Sequence, residues 1–190
     1  MQKADVSPRV FGEMPEHVAR DVVEGMHEGG IDFAVFLPES EFKTAQLAVA
    51  RDPRFQSVIV SSETIGIPIC GGAWAGGKRP AMMMGASGMP LTCYPLTWLG
   101  NGHNMPMLLL ITTRTFGDEH YIYGVATKVI EPLLEGMGIP VRKVRRSDEV
   151  RRVIADAART CFVWLRPIAV ILSEEVIDNR PGGGLAEAVK

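Results

Sequence analysis

Glu63 stands where an apolar strand gives way to a glycine-rich helix, in the run Val58-Ile59-Val60-Ser61-Ser62-Glu63-Thr64-Ile65-Gly66. A carboxylate beside the carboxyl end of a strand lies where open α/β sheets hold their ligands. Its chemistry there is to share or move a proton with whatever binds. The stretch that follows offers little other acid–base chemistry. Further candidates follow later strands. Gly85-Ala86-Ser87-Gly88-Met89-Pro90 is a small-residue loop entering a helix, whose backbone N–H groups can receive an anion. An ordinary strand-to-helix turn has the same composition. After the next strand come Arg114 and, in the same loop, Asp118, Glu119 and His120. Arg114 or His120 can bind a substrate anion there; a solvated loop fits equally well.

Other polar groups carry less. His103 and Asn104 precede the fourth strand, on the sheet edge away from the expected ligand. His17 and His27 fall on the first helix and read as surface residues. The four histidines show no spacing such as HExxH, so no metal ligand is assigned to this chain. Met82, Met83 and Met84 read as a core strand. Gly66, Pro68, Gly71, Gly72, Gly76 and Gly77 crowd one short helix. An interior glycine costs about 0.5–1 kcal/mol relative to alanine. The crowding therefore calls either for close approach of a cofactor or partner, or for tight packing on the sheet. The segment does not satisfy GxGxxG, and no P-loop occurs.

The elements that must position these residues are legible as alternating strands and helices. Six short apolar runs read as strands: 32–37, 57–60, 81–84, 107–112, 141–144 and 168–172. Near-continuous apolar character predicts parallel strands covered on both faces. The helices between them predict βαβ crossovers. The first helix opens at Pro15 and closes at Gly29-Gly30. Ser40 is the expected cap of the second, with Phe42, Leu47 and Val49 buried. The third runs from Ser62–Glu63 towards Ala75, and the fourth from Pro90 or Leu91 to Leu99. The fifth covers 123–137 and stops at Gly138; Ser147 is the expected cap of the sixth. The fold class is α/β, a three-layer α/β/α arrangement around a six-stranded, mostly parallel sheet. An N-terminal extension (1–14), one domain (15–177) and a flexible C-terminal tail (178–190) are expected.

Composition narrows the function classes. A length of 190 residues, 46% hydrophobic, suits one large domain with a proper core. A formal net charge of -2 argues against a nucleic-acid binder. The basic run Arg142-Lys143-Val144-Arg145-Arg146 is followed at once by Asp148 and Glu149 and reads as a solvated strand end. Three dispersed cysteines fit no simple disulfide framework and point to a reduced, cytoplasmic setting. Neither a signal peptide nor a run of about 18 apolar residues is seen, so no membrane partner is expected.

Taken in order, these segments resemble a known family. Glu63 after its strand is followed by the glycine-rich helix, Gly77-Lys78-Arg79-Pro80-Ala81-Met82-Met83-Met84 and Ser87-Gly88. Then come Pro106-Met107-Leu108-Leu109-Leu110-Ile111-Thr112-Thr113-Arg114, Met137-Gly138-Ile139-Pro140 and Arg166-Pro167-Ile168-Ala169-Val170-Ile171-Leu172. The set is similar to the pyrimidine-binding domain of thiamine-diphosphate enzymes. The nearest likeness is to the sulfopyruvate decarboxylase α subunit and the matching phosphonopyruvate decarboxylase domain. The resemblance implies that Glu63 contacts N1′ of the aminopyrimidine and so activates the cofactor for decarboxylating a small anionic 2-oxo acid. Ser87 and Gly88 would line the pyrimidine or substrate side. It also implies a separate β subunit supplying Mg2+ and the diphosphate site, because this chain lacks that domain's Gly-Asp-Gly…Asn motif. A hetero-oligomer with its active site between subunits is expected. One departure stands out: Gly85-Ala86 replaces the usual Gln-Asn before Ser-Gly. A non-catalytic scaffold that retains the fold is the alternative this departure leaves open.

Overall fold

The computed structural model describes residues 14–114 and 121–177. The strands are β1 Phe33–Phe36, β2 Gln56–Ile59, β3 Pro80–Gly85, β4 Leu108–Thr112, β5 Val141–Val144 and β6 Ile168–Leu172. They form one sheet in the order β2-β1-β3-β4-β6-β5. Every neighbouring pair is parallel. The helices are α1 Glu16–Glu28, α2 Lys43–Arg51, α3 Glu63–Ala75, the short α4 Cys93–Pro95, α5 Tyr121–Gly136, α6 Val150–Trp164 and α7 Glu174–Ile177. No helix among the described residues is long and apolar enough to cross a membrane.

Strand side chains alternate between two cores, because successive residues point to opposite faces. Ala34, Phe36, Ala81, Met83, Leu108, Leu110, Ile168 and Val170 meet α1, α2 and α6. Val35, Met82, Met84, Leu109, Ile111, Ala169 and Ile171 face the other way, towards α3 and α5. The expected three layers are therefore present, and the sheet is wholly rather than mostly parallel. Cover on both faces holds for β1, β3, β4 and β6, whose residues are all buried. The edge strands depart from it: Ile59 of β2 is 64% exposed and Arg142 of β5 lies in solvent. An edge strand lacks a neighbour on one side, and polar or charged residues suit it.

Four expected helix details are corrected. Ser40 does not cap the second helix; that helix starts at Lys43, and the Phe42 N–H donates instead to Glu39 Oε2 at 2.9 Å. Leu47 is half exposed, off the stripe formed by Ala45, Gln46 and Val49. Ser147 opens a 3-10 turn, Ser147–Glu149, rather than capping α6. The expected fourth helix is a 3-10 turn Met89–Thr92, one α turn and a π-helical stretch Leu96–Gly102. Pro90 and Pro95 remove backbone donors from this segment. Its far end is tied to α5 through Asn101 Nδ2, which donates to the Met137 carbonyl at 2.5 Å.

The glycines of α3 divide by role. A Cβ at Gly66 would lie 2.6 Å from Met82 Sδ, and one at Gly71 would lie 3.0 Å from Met105 Sδ. These two serve tight packing on the sheet and on the loop before β4. Gly72 faces open space.

Candidate active site

The chain leaves β1 in one direction to form β2, then crosses back to form β3 on the other side of β1. Such a reversal opens a crevice at the carboxyl ends of the strands. Three loops converge there: 37–42 after β1, 60–62 after β2 and 86–88 after β3. The second delivers Glu63 as the first residue of α3. Ser62 Oγ accepts the Thr64 N–H at 3.3 Å and so caps the helix. A carboxylate in the first turn is also favoured by the helix dipole.

Glu63 is 8% exposed. Its carboxyl group lodges against the backbone of Gly88, so closely that a Cβ at position 88 would fall inside it. Gly88 is held there by a turn, its N–H donating to the Gly85 carbonyl at 3.2 Å. Among the described residues no hydrogen-bond donor engages the Glu63 carboxylate. Its carboxyl oxygens are nevertheless not fully enclosed, so a partner can reach them from outside the fold. The geometry thus fits a ligand nitrogen arriving at the sheet edge.

Beside Glu63 lies a second polar cluster. A cavity of about 20 Å³ is lined by Glu39, Glu41, Ser87, Thr112 and Arg114 among others, room for about one water. Glu41 and Arg114 form an ion pair, both mostly buried. The Arg114 carbonyl accepts a bond from Thr127 Oγ1, which ties this loop to α5. Glu39 accepts from Phe42 N–H and from Thr112 Oγ1, the latter at 3.3 Å. Gln46 fixes the same loop: its Nε2 donates to the Leu37 carbonyl at 2.9 Å and its Oε1 accepts from Glu39 N–H at 3.2 Å.

Glu63, Ser87, Gly88 and Arg114 therefore share one edge of the sheet. His120 lies outside the described residues. His103 is exposed, before β4, as expected. Glu39 and Glu41 escaped the sequence reading. The signal was there: Pro38-Glu39-Ser40-Glu41 follows an apolar strand, the same placement that singled out Glu63. Thiol chemistry is disfavoured, since burial pushes the Cys70 thiol up and the Cys161 thiol to about 12.

No protein-family model matches the chain. It is 30% identical over 155 residues to sulfopyruvate decarboxylase subunit alpha of Methanothermobacter thermautotrophicus, covering 80% of this chain and 92% of that protein. The chain belongs to the sulfopyruvate decarboxylase α-subunit family. A second member, from Methanococcus maripaludis, is 27% identical over 152 residues, covering 80% and 91%. The protein named sulfopyruvate decarboxylase in Methanosarcina acetivorans is longer; at 26% identity the match covers 82% of this chain and 40% of that one. In fold, this α-subunit chain is similar to 2-oxoglutarate:ferredoxin oxidoreductase from Magnetococcus marinus, with a TM-score of 0.65 and 17% identity. That likeness covers 94% of this chain and spans 33% of the larger protein. The resemblance and the fold class read from the sequence are both borne out.

Proposed function

We propose that this chain is the pyrimidine-binding α subunit of a two-chain thiamine-diphosphate decarboxylase. Its substrate is a small anionic 2-oxo acid of the sulfopyruvate or phosphonopyruvate type, and its products are CO2 and an aldehyde. The observation that carries the reading is Glu63, a mostly buried carboxylate at the switch point, packed on Gly88 and engaged by no donor among the described residues. Family membership supports the reaction class.

Thiamine diphosphate supplies the nucleophilic carbon and the electron sink that let a 2-oxo acid lose CO2. What this chain adds is position and one proton contact. Glu63 would hold pyrimidine N1′ by a hydrogen bond, with its direction fixed by the α3 start and by Gly88. Ser87, exposed on the same turn, lines the side from which substrate arrives. Arg114, braced by Glu41, is the candidate contact for a substrate anion, and His120 a second one. A separate β subunit holds Mg2+ and the diphosphate. In support, the relatives are named as alpha subunits, and the one named without a subunit is the longer protein.

The test is co-expression with a β-type chain, followed by CO2 release from a panel of 2-oxo acids with thiamine diphosphate and Mg2+. Glu63→Gln is expected to lower turnover by about 10²–10⁴-fold, the range for a lost acid–base group, while the complex still assembles. Unchanged turnover in that variant sinks the role of Glu63. An assembled complex that releases no CO2 from any acid favours the scaffold reading.

A further inference from the structure

Thr64 follows Glu63 at the start of α3, and its side chain reaches across to the turn after β3. Its Oγ1 donates to the Leu91 carbonyl at 3.1 Å. The Leu91 N–H in turn donates to the Gly88 carbonyl at 3.1 Å, and the Gly88 N–H to the Gly85 carbonyl at 3.2 Å. Gly88 is the residue whose backbone meets the Glu63 carboxyl group. Glu63, Thr64, Leu91 and Gly88 thus form a closed circuit. The carboxylate packed on Gly88 makes one side of it, and the threonine hydroxyl makes the opposite side.

The rest of this joint is apolar. Among the described residues, the bond from Thr64 is the one hydrogen bond between α3 and the segment 86–92. Ile67 and Cys70 of α3 share a core with Ala86 and Met89. Apolar burial is non-directional, whereas a hydrogen bond sets a distance and an angle. Thr64 is itself anchored, since its N–H donates to the capping Ser62 Oγ at 3.3 Å. Its hydroxyl therefore sets how far the turn stands from the start of α3, and so how Gly88 meets Glu63.

We infer that Thr64 is a positioning residue: its hydroxyl fixes the Gly88 turn in the place that orients the Glu63 carboxylate towards the pyrimidine. This rests on the reading that Glu63 is the acting carboxylate. Small shifts matter there, because a misplacement of about 1 Å can cost about 100-fold in rate. Thr64 and Leu91 are both exposed. Water can therefore satisfy the Leu91 carbonyl when the hydroxyl is removed, and the fold survives the test.

The experiment compares Thr64→Val, which keeps the branched shape and loses the hydroxyl, with Thr64→Ser, which keeps the hydroxyl. The first readout needs neither cofactor nor turnover: amide hydrogen exchange of Gly88 and Leu91 in the full chain. Exchange at both should quicken about fivefold in Thr64→Val, equivalent to about 1 kcal/mol, the scale of one ordinary hydrogen bond. In Thr64→Ser it should match the unmodified chain. The second readout is turnover of 3-sulfopyruvate by the assembled enzyme, with the β chain in saturating excess. There kcat should fall about tenfold in Thr64→Val with KM unchanged, and Thr64→Ser should retain it. Unchanged exchange in Thr64→Val overturns the inference, as does faster exchange with kcat unchanged. A loss of turnover that excess β chain cures also overturns it, since the bond then serves association and not the site. Failure of the Glu63 reading is separate, and shows as unchanged turnover in Glu63→Gln. In that case the exchange readout alone decides whether Thr64 fixes the turn, and unchanged exchange overturns that too.

Discussion

A Cβ at position 88 would fall inside the Glu63 carboxyl group, yet the backbone of Gly88 is ordinary, with φ -89 and ψ -23. Alanine is at home in that conformation. The glycine is therefore required by the neighbouring carboxylate and not by the turn. Gly88→Ala separates the two effects: the backbone tolerates the change, but Glu63 must move. We expect the variant to fold with a melting temperature close to that of the unmodified chain. Turnover of the assembled enzyme should fall at least about tenfold, or about 1.4 kcal/mol of transition-state stabilisation. Full turnover in that variant would mean that the close approach has no bearing on the chemistry. From the sequence, 85–90 reads as an anion-receptive loop, and the resemblance sets Ser87 and Gly88 on the pyrimidine or substrate side; the packing of Gly88 on Glu63 is what the structure adds. Nothing in one dimension shows that a glycine leaves room for a side chain 25 positions away. Glu39 was hidden for a related reason, since its neighbour Ser40 is the residue type expected to cap a helix, a role it does not take.

Among the elements, the strands were the most legible. β5 and β6 have the bounds expected of them; the run Ile168-Ala169-Val170-Ile171-Leu172 suits a strand buried on both faces, whereas β5 is a partly exposed edge strand. The segment before β4 was the least legible, since its two prolines and its tie to α5 are tertiary matters. The turn between α2 and β2, which leads into Glu63, is held by Arg54. Its Nη2 meets Glu24 Oε1 of α1 at 2.7 Å and Asp52 Oδ2 at 2.6 Å. The hydrogen bond from Arg54 holds both carboxyls below their ordinary values of 4.5 and 3.8. A depressed folded-state pKa stabilises the fold above the unfolded value, and that stability is lost as pH falls through the folded one. Arg54→Ala should therefore lower the melting temperature modestly at pH 7. Below about pH 4.5 the gap should close as the unmodified chain protonates these acids. A gap that stays constant down to pH 2 would show that Arg54 acts through packing on Phe55, over whose ring it lies at 5.9 Å.

At the scale of the whole molecule, two of the apolar surfaces that the described residues leave in solvent differ in position. Val163, Trp164 and Leu165 end α6, at the amino edge of the sheet. Ile65, Leu91, Tyr94 and Trp98 lie on α3 and the segment after β3, next to Glu63. The second set is physically connected: Thr64 Oγ1 donates to the Leu91 carbonyl at 3.1 Å, and the Tyr94 and Trp98 rings are 6.2 Å apart. Large exposed aromatic and aliphatic groups placed together mark interaction surfaces. If the cofactor is shared with a β subunit, that subunit must cover the edge that carries Glu63, which selects this set. Trp98 is 57% exposed and Trp164 is 58% exposed, so their replacement removes comparable solvent-facing apolar groups. Trp98→Ala should weaken α–β association by about 2 kcal/mol or more, about 30-fold, as expected for an aromatic anchor near an interface centre. Trp164→Ala should leave association unchanged. Sedimentation of the two variants with the β chain distinguishes the surfaces, and equal loss in both would place the partner elsewhere.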